Sequence, residues 1–150
     1  MAANPENIAV IVGVGQVNDR PTDPMAGKDA LGLMIAALEE ADKDAGGGWL
    51  ADVDSVAVVQ QISFRKDNPL AQKVADGIGS TAAIVYESVG PNGDSPILLL
   101  NEAANRIARG EIKIAAVTGG EALRTASQRA AIAAKTSVAD QNPLRNLSTV

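Results

Sequence analysis

The chain has no cysteine and no histidine. Without cysteine there is no disulfide and no thiolate nucleophile. Without imidazole there is no Ser-His-Asp catalysis, no histidine general base and no His-ligated metal site. Aromatic residues are almost as scarce: Trp49, Phe64 and Tyr86 make up 2% of the chain, too few for a base-stacking platform. Lysine and arginine number 13 against 18 acidic residues, giving a net charge of −5 with no basic cluster. Nucleic acid and anionic membrane surfaces are therefore poor partners. No apolar run reaches the length of a membrane-spanning helix, and Met1–Asn7 has neither a basic nor an apolar leader character. The cytoplasm is the default expectation.

Alanine, valine, isoleucine and leucine dominate the 46% hydrophobic content. A chain of 150 residues with this content is expected to build one domain with a real core. Small aliphatic side chains suit helices packed closely on a sheet.

Ile8–Val14 is a nearly continuous, β-branched apolar run and reads as a strand buried on both faces. The Gly13-x-Gly15 that ends it lacks the third glycine of a dinucleotide fingerprint, since Asn18 and a loop follow, so a backbone turn is the expected use. Asp23 and Pro24 suit the start of a helix carrying Leu31, Met34, Ile35, Leu38 and Ala41 at helical spacing, closed by Gly46-Gly47-Gly48. Trp49 and Leu50 are expected at the edge of a layer. A second strand follows at Val53 and Val56–Val59. Residues 60–67 read as a solvated polar loop. A short helix runs from Pro69 to Ile78, and a third strand spans Thr81–Glu87.

The stretch Val89–Glu121 organises the rest. It holds a Gly/Pro turn, a helix and a strand at Ile112–Thr118. Asp94 or Ser95 can cap the helix, with Pro96 at its first position, and Gly110 suits a left-handed stop. Four apolar residues in a row, Ile97 to Leu100, predict a helix enclosed on every side. The glycines at 90 and 93 around Pro91 predict unusual backbone angles in the turn. Glu102 can pair with Arg106 one turn on. Ala122–Lys135 predicts a last helix, and the polar residues 136–150 a loose tail. Strand and helix alternate throughout, which implies an α/β layered fold with a largely parallel sheet.

This stretch resembles the nucleophile segment of the thiolase superfamily, in which a cysteine in a turn precedes a buried helix. Here Gly93-Asp94-Ser95-Pro96 stands in place of the family's Cys-x-Ser-Gly. Together with Asn101-Glu102-Ala103-Ala104, Val12–Val17 and Asp52–Val59, it is similar to a divergent branch of thiolase-like, acetyl-CoA acetyltransferase-like proteins that lack the nucleophile. The similarity covers about residues 8–125. It implies a mixed, mostly parallel sheet of four to five strands with helices on both faces, spanning residues 1–135. It also implies a single half of a two-half fold, so the chain is expected to be a fragment or a subunit that needs a missing C-terminal half. Lipid metabolism and coenzyme A or acyl-CoA as ligand come with the family, as does a homodimer contact through Thr81–Glu87.

Thiolase chemistry requires a low-pKa thiolate at a helix N-terminus, a base and an oxyanion hole. Ser95 has no histidine to activate it, so no catalytic residue is assigned. Asn92, Gly93 and Ser95 are the candidate substrate-binding remnant of the nucleophile turn. The Asn101–Ala104 motif lies on a helix, unlike the catalytic Asn-Glu-Ala loop of thiolases, and its role is not transferred. Glu121 is expected to make structural hydrogen bonds. No metal and no resident cofactor are expected. Three functions stay open: the N-terminal domain of an acyl-CoA-handling protein, inactive as this chain; a non-catalytic acyl-CoA-binding or scaffold subunit; and a nucleotide-binding α/β domain.

Overall fold

The structure is a computed structural model and describes residues 7–140. Three short strands, β1 (Ser55–Val58), β2 (Ile84–Glu87) and β3 (Ala115–Thr118), form a sheet in the order β2-β1-β3, with both pairings parallel. The helices are α1 (Ala30–Asp44), α2 (Ala71–Gly77), α3 (Ser95–Ala108) and α4 (Leu123–Asp140). Parallel neighbours need crossovers, and α2 and α3 supply them. Both faces of the sheet are covered, as the α/β expectation required. On one face, Ala30, Met34 and Leu38 of α1 and Ala71, Val74 and Ala75 of α2 pack with Val56 and Val58 of β1 in the main core. On the other, α3 lies over β1 and β3 without touching α1 or α2, and buries Leu99 and Ala103. No helix among the described residues is long and apolar enough to cross a membrane.

Local chemistry explains several boundaries. The first predicted helix arrives in two pieces. Asp23 caps only a 3-10 turn at Pro24–Ala26, and Gly27 is extended. Helix α1 then starts afresh behind Asp29, whose Oδ1 accepts the Gly32 amide at 2.8 Å. Helix α2 lacks a capping side chain of its own, and the carboxylate of Glu87 at the end of β2 accepts the amides of Leu70 and Ala71 instead. Gly110 takes φ +72°, the left-handed stop expected after α3. Asp54, just before β1, accepts the amides of Lys113 (2.7 Å) and Ile114 (3.0 Å), which sets the entry of β3 beside β1.

Four expectations need correction. Ile8–Val14 is not a strand. It has no backbone-to-backbone hydrogen bond among the described residues, and Ile8, Val10, Ile11, Val12 and Val14 are 68–73% exposed. The sheet therefore has three parallel strands among the described residues rather than a mixed four or five. Helix α3 is not enclosed: Leu99 is 5% exposed, but Ile97 and Leu98 are 60% and 58% exposed, because only one of its sides meets the sheet. Residues 60–67 are not simply solvated. Gln61 is buried, and its amide bonds Phe64 and Asn68 while its Oε1 accepts from Ser63 and Phe64. Helix α4 continues to Asp140, five residues into the expected loose tail, and residues 141–150 lie outside the described residues. The Glu102–Arg106 pair forms at 2.8 Å, and Arg106 sits over the Tyr86 ring, 5.4 Å from its centroid.

Candidate functional site

In a parallel α/β sheet the loops that can hold a ligand leave the carboxyl ends of the strands. Here those loops are 59–69 after β1, 88–94 after β2 and 119–122 after β3. The turn 88–94 contains the candidate residues. Ser95, the first residue of α3, is buried, and its hydroxyl donates to the Gly90 carbonyl at 2.9 Å. The Ser88 hydroxyl donates to the same carbonyl at 2.7 Å and accepts the Gln60 amide at 3.0 Å. Gly90 thus accepts two hydroxyls and joins the β2 loop to α3. Asn92 is exposed, and its carbonyl accepts the Ser95 amide at 3.1 Å. Gly93 is exposed too, and a side chain built there would meet no atom within 4 Å. Asn92 and Gly93 thus sit in the turn and Ser95 at the start of α3, and of the three only Ser95 is buried.

Two details differ from expectation. Neither Gly90 nor Gly93 takes a positive φ, so the turn needs no unusual angles. Asp94 occupies the N-cap position without a side-chain cap bond, and Ser95 lies inside the helix rather than capping it. Instead, the Ser95 amide is bound by Asn92, Pro96 has no N–H, and the Ile97 amide is bound by the Asp94 carbonyl. The first turn of α3 therefore keeps few donors for a developing oxyanion.

Glu121 lies at the carboxyl end of β3. Its two carboxylate oxygens accept the amides of Ile62 (2.8 Å) and Ser63 (3.1 Å), a structural tie of the kind expected. A cleft of about 530 Å³ opens beside it, lined by Arg20, Lys28 and Arg124 together with Asp19, Leu33 and Thr125. Asp19 accepts the Lys28 amide at 2.6 Å, so both acids of the cleft are already held by backbone donors. Arg124 donates one Nη1 bond to the Pro21 carbonyl at 3.1 Å. Periodicity and spacing did not point to this basic cleft, since its cations come from separate segments that only the fold brings together. No cluster of metal-ligating side chains exists among the described residues.

Gly13 and Gly15 serve a packing purpose. A Cβ on Gly13 would lie 2.2 Å from the Ala41 carbonyl oxygen, and one on Gly15 would lie 2.0 Å from that of Ala37. They let residues 12–16 press against α1. The first α-helix begins only at Ala30, so the helix N-terminus that a dinucleotide pyrophosphate requires does not follow them.

The chain matches no protein-family profile and no curated protein sequence. Among solved structures it is similar to a monomeric SCP2-thiolase-like protein type 1 from Mycobacterium smegmatis, at 28% identity and a TM-score of 0.56. The match takes in 71% of this chain but only 22% of that one. The α/β arrangement described above is thus a thiolase-like fold, similar to the SCP2-thiolase-like protein over a limited part of that protein's length.

Proposed function

We propose that this chain is the N-terminal domain of a divergent, acetyl-CoA acetyltransferase-like protein that handles acyl-CoA, and that it carries no acyl-transfer activity itself. The observation that carries this reading is the turn before α3. Its frame resembles a nucleophile turn, yet it offers no thiol, and the Ser95 hydroxyl is committed to Gly90. No imidazole exists in the chain to activate that hydroxyl. The test is incubation of the purified chain with acetoacetyl-CoA and coenzyme A, followed by intact-mass analysis. No acetyl-CoA above the blank and no acyl adduct are expected; a stable adduct on Ser95 would overturn the reading.

The basic cleft favours a second reading, non-catalytic acyl-CoA binding. Arg20, Lys28 and Arg124 offer cations to the phosphates of coenzyme A in a cleft whose acids are already hydrogen-bonded. Calorimetric titration with coenzyme A should show binding that Arg20→Ala with Lys28→Ala weakens; heat unchanged by that double substitution would exclude the cleft. A missing C-terminal half or a second copy is the partner we infer. Strand β2 lies at an edge of the sheet, where a homodimer contact would form. Sedimentation showing only monomer at high concentration would count against the homodimer. The cytoplasm remains the default location for this reading.

A further inference from the structure

Asn92 is followed by Gly93, the one Asn-Gly pair in the sequence. The backbone nitrogen after an asparagine can attack that residue's side-chain Cγ, and a glycine leaves the nitrogen unshielded because it has no Cβ. The local structure keeps the path clear. Asn92 and Gly93 are both exposed. Neither the Asn92 carboxamide nor the Gly93 amide has a hydrogen-bond partner among the described residues. A Cβ built on Gly93 would meet no atom within 4 Å. The turn is nevertheless held on both sides. The Ser88 and Ser95 hydroxyls bind the Gly90 carbonyl, and the Asn92 carbonyl accepts the Ser95 amide. The Asn92 side chain can therefore rotate onto the Gly93 nitrogen while the fold stays intact. The other pair open by sequence to the same ring closure, Asp76-Gly77, is shut off. Its backbone is helical at the end of α2, and a Cβ on Gly77 would lie 2.3 Å from Ile35 Cδ1.

We propose that Asn92-Gly93 is a site of spontaneous deamidation in the folded chain, a covalent change that recasts the turn before α3. The Gly93 nitrogen loses its proton to hydroxide and forms a bond to Asn92 Cγ. The Cγ–Nδ2 bond breaks, and Nδ2 takes a proton from water and leaves as ammonia. Water then opens the resulting cyclic imide at either carbonyl, leaving aspartate or isoaspartate at position 92. The sum is asparagine and water giving acid and ammonia, with no oxidant, reductant or enzyme. Either product adds one negative charge to a chain of net charge −5. That charge lies beside the N-terminus of α3, the positive end of the helix dipole. Isoaspartate does more. Its main chain runs through the side-chain carbon, so the turn lengthens, and the carbonyl that accepts the Ser95 amide becomes a free carboxylate. The turn thus changes charge and shape with the age of the molecule, whether or not the chain handles acyl-CoA.

The test is incubation of the full chain in heavy-oxygen water at mildly alkaline pH, followed by digestion and electron-transfer mass spectrometry, which separates aspartate from isoaspartate. Position 92 should convert and take up heavy oxygen. Its rate should rise about tenfold per pH unit, because the attacking nitrogen must first lose a proton. Gly93→Ala adds a shielding Cβ where space is open and φ is not positive, so the circular dichroism spectrum should stay unchanged. Conversion should slow about tenfold or more in that variant. The parent chain in urea gives the rate of an unstructured Asn-Gly, and the native rate should lie within about tenfold of it. The isoaspartate form, separated by ion exchange, should unfold at lower urea than Asn92→Asp, which carries the charge alone. Four results would overturn the proposal: a native Asn92 that stays intact while it converts in urea, conversion of Asn101 or Asn105 at the same rate, a Gly93→Ala rate equal to the parent's, or equal unfolding midpoints for isoaspartate and Asn92→Asp.

Discussion

Ser95 and Ser88 donate their hydroxyls to one carbonyl, that of Gly90, at 2.9 and 2.7 Å. The shared acceptor fixes the turn against the start of α3 without strained backbone. Ser95→Ala should therefore cost about 1 kcal/mol, the usual loss for one buried hydrogen bond, as read by chemical denaturation. Gly93→Cys should fold normally, because space is open there, and should show no turnover, because no base stands beside it.

Leu99 and Ile97 separate the two sides of α3. Leu99→Ala empties a buried position and should cost about 2–3 kcal/mol. Ile97→Ala, on the open side, should stay within about 0.5 kcal/mol. Equal losses in urea denaturation would mean that α3 is covered on both sides in solution.

Asp54 gives a pH signature. The amides of Lys113 and then Ile114 hold its carboxyl below the usual aspartate range, against a smaller opposing effect of desolvation. A lowered folded value stabilises the native state above the unfolded pKa of about 3.9, and that contribution disappears as pH falls from there through the lowered value. Asp54→Asn should flatten this acid limb and cost about 1 kcal/mol at neutral pH. Denaturation midpoints of both proteins between about pH 2 and 5, a range that brackets the fall below that unfolded value, check it. An acid limb of unchanged slope in the variant would count against the assignment.

Gly15→Ala should push the N-terminal segment off α1, since its Cβ would lie 2.0 Å from the Ala37 carbonyl oxygen. The expected readout is faster proteolysis within residues 8–20 with little change in global stability, because those residues contribute nothing to the main core. Unchanged cleavage would show that the segment does not rest on α1.

Periodicity revealed the elements whose partners lie within this chain. The spacing of Leu31, Met34, Ile35, Leu38 and Ala41 marked α1, which buries Met34 and Leu38, and Val53 with Val56–Val59 marked β1 as a strand. The thiolase-like resemblance, carried by the turn before α3, agreed with the fold. Composition misled where a segment's complement lies elsewhere: Ile8–Val14 and the Ile97–Leu100 run read as buried, and both border an open groove. The basic cleft and the Gln61 hydrogen bonds were invisible because they depend on which loops meet, and a single sequence does not state that.

Glu87, Ser88 and Glu121 stand just after or at the ends of β2 and β3, and each binds backbone from a different loop: Leu70 and Ala71, Gln60, and Ile62 with Ser63. The loops at this end of the sheet are thereby fastened to one another through side chains. Their conformational entropy is lost when the chain folds and not when something arrives. A molecule that docks there meets a surface already set in shape, and its affinity depends on fit and charge with no further ordering of these loops.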